Sequence, residues 1–327
     1  EIRKNLIKKP NDILNTKKSR YNSNLYMNNC SICKKTFKEV KLETHHMNEQ
    51  QYANENDFIE TFHKNHKGNL LVLCDKCDLV YVNPQVSPDI IFKSYSSNID
   101  PTFVDQNKYR IITFDRVFRD IIKKISIKPT YKKIILDIGC AGGAFPVAAN
   151  KIGFSVIGVE PSKWLAENAK KQYALDIRAG DLFSQKFRPE TFDIISLWDV
   201  IEHLTDPSAV LKEIQKISKK NSYLIVNYPN FNSLARKIFR KKWPFFLSVH
   251  LIYFTPNTIK EFLKKFDYEI IYTKPHWQTL ELGYIFTRAE KYFPIFKHLS
   301  KFITFCRLDK FPILYNIGQN LIVARKK

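Results

Sequence analysis

Four carboxylates carry the residue type and spacing from which a binding site can be built. Asp137 closes the apolar run Ile134-Ile135-Leu136 and is followed by Gly139, Gly142 and Gly143. Glu160 closes the next apolar run, 155–159, and Asp181 and Asp199 follow two more. A glycine-rich turn lets a ligand approach the backbone, and an acid at the end of the second strand of such a unit binds ribose hydroxyls. A pyrophosphate would instead sit on the helix N-terminus behind a G-x-G-x-x-G turn. Here Gly139, Ala141 and Gly143 have G-x-A-x-G spacing with Asp137 just before them. A carboxylate there repels a phosphate, whereas it pairs with an ammonium or accepts from a hydroxyl.

Elements must hold these acids in place. The run at Ile134 has the pattern of a strand buried on both faces of a parallel sheet, and 144–151 reads as the helix after the turn. Ser162 can cap a helix through about Tyr173. Residues 176–179 read as a third strand and 192–198 as a fourth. Pro207 begins a helix through about Ser218, and 223–227 is a fifth strand. Alternation with short links specifies a doubly wound parallel sheet, with ligands at the strands' C-terminal ends. All four acids fall at such ends, which packing does not require. Upstream, apolar residues keep helical spacing over 109–125. Downstream, Thr255-Pro256 opens a helix to Lys265, 268–273 is a strand and 320–325 a last, antiparallel one. Between them 284–311 repeats apolar residues at i, i+3 and i+4. It is expected as a core helix pair; a cover over the substrate site, or a segment lying on a membrane, is the alternative.

Two thiolate pairs, Cys30-Ser-Ile-Cys33 and Cys74-Asp-Lys-Cys77, suffice for one tetrahedral Zn²⁺. Four reduced core cysteines is the competing reading, although core packing does not call for paired spacing. Six cysteines in 327 residues do not make a disulfide scaffold, and paired thiols point to metal and a cytoplasmic setting.

The length and a 44% hydrophobic content allow one large domain and a small one. No run approaches the ~18 uninterrupted apolar residues of a membrane span. The start, Glu-Ile-Arg-Lys-Asn, lacks a signal peptide's apolar core; without Met, it reads as a fragment or a processed end. The net charge of +21 is uneven: 137–207 holds 7 Lys/Arg against 10 Asp/Glu, and 233–327 holds 18 against 6. A basic C-terminal part suits an anionic partner such as a nucleotide-linked sugar, nucleic acid or acidic lipid; a solvated lysine-rich surface is the plain alternative. Residues 1–29 read as a basic leader, and 85–107, with prolines among Ser and Asn, as a linker.

Residues 136–145, Leu-Asp-Ile-Gly-Cys-Ala-Gly-Gly-Ala-Phe, resemble the first motif of class I S-adenosylmethionine-dependent methyltransferases, with Ala141 replacing the middle glycine. The resemblance extends over about 108–273. It implies a seven-stranded, doubly wound Rossmann-like α/β fold with S-adenosylmethionine as cofactor. Asp137, Gly139, Ala141 and Gly143 would line its methionine end, Glu160 would accept both ribose hydroxyls, and Asp181 with Leu182 would hold the adenine. Trp198 and Asp199 would border cofactor and substrate. The stretch 199–207, Asp-Val-Ile-Glu-His-Leu-Thr-Asp-Pro, is similar to a sub-signature of small-molecule methyltransferases.

Cys74 to Pro84 looks like the end of the zinc-binding N-terminal domain of a group of sugar methyltransferases. Trp243-Pro-Phe-Phe-Leu-Ser-Val-His250 through Pro256 is similar to the stretch where a histidine is their general base. The resemblance implies His250 as base and a sugar, nucleotide- or lipid-linked, as acceptor. His203 is the other candidate, expected as a substrate-side hydrogen-bond partner, and a hydrogen-bonded structural histidine is the alternative for either. An imidazole suits that deprotonation, although Val249 stands where the family often has Glu. Leu42-Glu-Thr-His-His46 with His66 through Cys77 resembles an HNH nuclease module instead, implying His45 as metal ligand, His46 as base and Asn69 as the middle Asn. Asp78 replaces that module's next histidine, and a strand-like Leu-Val-Tyr-Val-Asn-Pro follows where it has a helix.

The expectation is therefore a methyltransferase domain over 108–327, with a helical insertion at about 275–317, behind a zinc module at 30–84. Two classes compete with it: a nucleic-acid protein whose zinc module binds or cuts DNA, and a sheet that binds cofactor without turnover.

Overall fold

A computed structural model describes residues 25–26, 30–34, 40–44, 70–74, 76–83, 85–86, 88–97, 99, 101–247, 249–290, 293 and 295–327. His45, His46, Asn69 and nearly all of the basic leader lie outside the described residues.

The N-terminal part comprises β1 (Leu25–Tyr26), β2 (Val40–Thr44), β3 (Leu70–Cys74), β4 (Val80–Val82) and β5 (Gln85–Val86). Helices α1 (Pro88–Ser96) and α2 (Pro101–Asp105) follow, so the expected linker at 85–107 is largely helical. Each helix starts on its proline, where the missing N–H leaves no bond unmade and the fixed φ suits the first turn. The same prolines that suggested a linker open these helices.

Next come α3 (Asn107–Lys124), β6 (Ile134–Ile138), α4 (Ala144–Ile152), β7 (Ser155–Glu160), α5 (Lys163–Tyr173), β8 (Asp176–Ala179), β9 (Phe192–Trp198), α6 (Pro207–Ile217) and β10 (Ser218–Pro229). The chain continues through α7 (Leu234–Phe239), β11 (Ile252–Tyr253), α8 (Pro256–Lys264), β12 (Tyr268–Pro275) and β13 (Gln278–Glu281). It ends with α9 (Leu282–Glu290), α10 (Ile295–Phe305), β14 (Pro312–Tyr315) and β15 (Gln319–Lys326).

Seven strands form the central sheet, in the order β12-β15-β10-β9-β6-β7-β8. Strands β6 to β10 run parallel, and β15 is antiparallel to both neighbours. The order reverses between β6 and β9, so the switch point lies above the C-terminal ends of these strands, the usual ligand crevice of such sheets. Successive residues face opposite layers. Ile135, Ile194 and Ile225 pack with Phe118 of α3 and Phe145 of α4, while Leu136, Ile195 and Val226 pack with Leu211 of α6 and Phe262 of α8. Each such side chain, fully buried, contributes about 1.5–3 kcal/mol. Strand β10 starts earlier than expected: Ser218 already pairs with Phe192, and the register shifts before Tyr223.

Two findings change the expected organisation. The segment around 275–317 is only partly helical, since β13 and β14 pair and bracket α9 and α10. No residue of α9 is buried and in α10 only Ile303 is, so this pair stands at the surface and not in the core. The two helices pack on each other through Phe286 and Phe296, and Tyr284, Ile285 and Phe296 line the cavity described below, so the pair lies over that cavity. The cysteine-bearing strands are also completed from the other half. The second sheet has the order β11-β4-β3-β2, with Ile252 opposite Tyr81 and Tyr253 opposite Val80. Among the described residues, no helix is long and apolar enough to cross a membrane.

Candidate active site

The turn between β6 and α4 is tightly packed. Gly139 and Gly143 have φ of +68° and +78°, and a Cβ on Gly139 would lie 2.6 Å from Val200 Cγ2. Asn107 Nδ2 donates to the Gly142 carbonyl at 2.7 Å, leaving no space for a side chain at Gly142. Ala141 lies between them with φ +45°. Its N–H donates to Glu160 Oε2 at 2.8 Å, while Ser162 N–H donates to Oε1 at 2.9 Å. Burial raises the Glu160 carboxyl against those two bonds. Asp137 is buried and accepts from Ser196 Oγ at 2.7 Å. Burial lifts it well above the usual carboxylate range, and no cation pairs with it among the described residues.

These groups border a cavity of about 1140 Å³, larger than the ~300–1,000 Å³ of most small-molecule sites. Of the expected residues, Asp137, Gly139, Ala141, Glu160, Asp181, Leu182, Trp198, Asp199 and His203 line it. Gly143 does not; it sets the turn as the residue before α4. Asp181 Oδ1 accepts from Ser184 N–H at 2.7 Å, and Leu182 beside it is buried. Trp198 is packed against Phe114, Phe145 and His276, with ring centroids at 4.9, 5.1 and 5.5 Å. Asp199 accepts from Asn227 Nδ2 at 2.7 Å and Gln319 Nε2 at 2.6 Å. Burial raises it to about 6, with the Gln319 bond opposing the shift.

The two histidines are separated in depth. His203 ends the short 3₁₀ turn Ile201–His203, with Nδ1 3.0 Å from the Val249 carbonyl and 2.7 Å from Tyr95 Oη. A carbonyl only accepts, so Nδ1 carries the hydrogen and Nε2 the lone pair. Burial lowers His203 to about 4. His250 Nδ1 is bonded in the same way to the Phe245 carbonyl at 2.9 Å. Its ring lies 4.5 Å from that of His203, nearly perpendicular, and burial with the neighbouring His203 pushes it well below the usual range. His250 does not line the cavity. Of the two, His203 stands on the cavity wall and His250 behind it, where the His250 N–H donates to the Leu247 carbonyl at 3.1 Å. Glu202 is buried beside both rings, and neither carboxylate oxygen has a hydrogen-bond partner among the described residues.

Several lining residues carried no motif. Tyr95 comes from α1, His276 from the link between β12 and β13, Gln278 and Tyr315 from the paired strands β13 and β14, and Gln319 from the start of β15. His276 is buried, its Nδ1 has no hydrogen-bond partner among the described residues, and burial lowers it to about 3. Tyr95 and His203 are 108 positions apart, so no local spacing could have joined them.

The cysteines converge away from this cavity. Cys30 and Cys77 sulfurs are 3.5 Å apart, Cys33 and Cys74 3.4 Å, and all four lie within 4.8 Å of one another. The two pairs fold alike: Lys34 N–H donates to the Cys30 carbonyl and Asp78 N–H to the Cys74 carbonyl, and both following residues are left-handed, with φ 58° and 57°. The contact with Cys77 draws Cys30 down to about 5 and pushes Cys77 up in turn. Four cysteine sulfurs this close have the number and type of a Zn²⁺ donor set, which binds as thiolates. Asp78 is exposed on its turn and leads into β4, not into a helix.

Residues 107–273, just over half of the chain, match the model of a methyltransferase-domain family. The chain belongs to this family and carries a class I S-adenosylmethionine-dependent methyltransferase domain. An uncharacterized methyltransferase of Schizosaccharomyces pombe is 35% identical over 104 residues, 28% of this chain and 37% of its own length. The mitochondrial ubiquinone biosynthesis O-methyltransferase of the same yeast is 26% identical over 155 residues, 44% of this chain and 55% of its own. The chain thus spans about half or less of the curated relatives it matches. A solved methyltransferase from Thermotoga maritima, described as a possible histamine N-methyltransferase, aligns with 22% identity and a TM-score of 0.45, over 68% of this chain and 91% of that one.

Proposed function

We propose that the chain transfers a methyl group from S-adenosylmethionine to a hydroxyl or carbon acid of a small molecule, and that residues 30–84 form a zinc module ahead of the domain at 108–327. The observation that carries this reading is the shared cavity, with Asp137 and Glu160 on its wall along with His203 and Tyr95. The residues fit the cofactor. Asp137 is a buried carboxyl that no cation pairs with among the described residues, which suits an ammonium. Glu160, fixed by two backbone N–H groups, retains lone pairs for two ribose hydroxyls. Asp181 and Leu182 suit the adenine. Bound there, S-adenosylmethionine supplies an electrophilic sulfonium methyl.

Trp198 and Asp199 would hold the cofactor against the acceptor, and orientation of this kind accounts for most of the acceleration in a displacement reaction. His203 Nε2 would take the acceptor's proton while Nδ1–H stays on the Val249 carbonyl. Tyr95 Oη would fix the ring from the cavity side. His250, neutral and behind it, adds no repulsion to the imidazolium formed.

The relative named for ubiquinone biosynthesis supports an oxygen acceptor on a small molecule. The zinc-module resemblance and the 243–256 stretch support a sugar, carried on a nucleotide or a lipid. The nuclease-like alternative is not advanced, because β4 occupies the place of that module's closing helix. The test is calorimetric titration with S-adenosylhomocysteine beside Glu160→Ala. Micromolar binding that the variant loses is expected; a folded sample that binds nothing would remove the reading. Methyl transfer to nucleotide-linked sugars and to prenylated phenols would then choose the acceptor.

A further inference from the structure

Two helices at the cavity rim present apolar side chains to solvent in a pattern that packing does not explain. In α10, Phe296 lines the cavity and Ile303 is buried. Ile295, Leu299 and Phe302 are spaced four and three residues apart, which places them on an adjacent stripe. That stripe is open: Phe302 is 64% exposed and Phe305, three residues on, 85%. In α7, Leu234 and Ile238 lie one turn apart and are 72% and 64% exposed. Phe239 at the end of α7 packs on Phe293, in the link between α9 and α10, with ring centroids 5.7 Å apart and Lys242 over the Phe293 ring.

Both surfaces are cationic. Residues 234–242 carry Arg236, Lys237, Arg240, Lys241 and Lys242 and no acid. Around α10 stand Lys297, Lys301, Arg307 and Lys310, with Asp309 the one acid over 295–311. Protruding aromatic and aliphatic groups set among cations are the composition of an interfacial helix. A second copy would bring the same cations against these, which opposes self-association. A nucleic acid would satisfy the cations but leave Leu234, Ile238, Ile295 and Leu299 without partners.

We infer that α7 and α10 dock this protein on a bilayer with anionic headgroups, the apolar side chains entering the interface and the cations meeting the phosphates. Phe239, Phe293 and Phe296 also line the cavity, so the docked rim would open towards the lipid. An acceptor carried on a lipid could then enter without crossing water, a consequence that rests on the methyl-transfer reading.

The experiment is co-sedimentation of the whole chain with phosphatidylcholine vesicles, with and without phosphatidylglycerol. Phe302→Ser and Phe305→Ser are run beside it, and S-adenosylhomocysteine titration of every sample serves as the control of folding. Binding only with phosphatidylglycerol, reduced about tenfold by each substitution with cofactor affinity unchanged, is expected. No sedimentation would overturn the inference, as would binding that ignores both substitutions. A concentration-dependent dimer abolished by Phe302→Ser, or tighter binding to single-stranded DNA than to vesicles, would overturn it too. Lost cofactor binding with vesicle binding intact would count against the methyl-transfer reading and not against this surface.

Discussion

The N–H of Ala141 donates to the carboxylate of Glu160 at 2.8 Å, tying the glycine-rich turn after β6 to the end of β7. One acid thus shapes the turn and faces the ligand space. Glu160→Ala removes both roles. Charge-assisted hydrogen bonds contribute about 1.5–3 kcal/mol each, so cofactor affinity should fall at least about tenfold, read by titration with S-adenosylhomocysteine. Glu160→Gln, which keeps an acceptor, should lose less.

Ala141→Gly should stabilise the protein or leave it unchanged. Ala141 has φ +45°, a region that costs a residue with Cβ about 1–2 kcal/mol, against about 0.5–1 kcal/mol for the extra freedom glycine loses. The expected net is a gain of up to about 1 kcal/mol, measured by urea denaturation, with cofactor affinity retained. A clear loss of stability would show that the alanine methyl packs productively.

His203→Ala should abolish turnover while leaving cofactor affinity within about threefold, since a base acts on the acceptor. His250→Ala should reduce turnover less, because His250 stands behind the cavity wall. The base form of His203 is the neutral imidazole, present above a pKa of about 4. At saturating cofactor the rate should therefore hold as pH falls from 7 to 6 and decline only nearer 4. A limb near the ordinary histidine value of about 6.5 would count against His203.

Asp199 gives a pH dependence of the opposite origin. Its carboxyl is raised to about 6 in the fold, so between its unfolded value and 6 the native state holds the extra proton and stability falls as pH rises. A cationic ligand favours the ionised form. S-adenosylmethionine should bind more tightly as pH rises through 6, with proton uptake by buffer, and Asp199→Asn should flatten that profile in calorimetry.

The cysteine cluster should hold one Zn²⁺ per chain, measured by atomic absorption on the purified protein. Cys74→Ser should lose the metal. Because β11 pairs with β4, chelation should also raise amide exchange around 249–254, a region more than 170 residues away in sequence from Cys77. Retained protection there after zinc removal would show that the pairing of β11 with β4 does not depend on the metal.

The alternation of apolar runs, the glycine turn and the acids at strand ends were legible because they are local. A strand buried on both faces has to read as a continuous apolar run, and a turn that ligands approach has to read as glycine. The capping residues Ser162 and Thr255 were legible for the same reason. Depth and distant pairing were not. Which of His203 and His250 faces the cavity depends on how the 243–252 stretch folds back to complete the cysteine-bearing sheet. The approach of Tyr95 to His203 depends on α1 crossing the site. The prolines at 88 and 101 open helices and do not break them, and the apolar repeats of α10 lie on the surface, because periodicity records an apolar face but not what covers it. The sequence by itself determined the strand order's raw material and the chemistry of each residue. Tertiary packing decided which of those residues share one cavity, since that choice is made by contacts between segments a hundred or more positions apart.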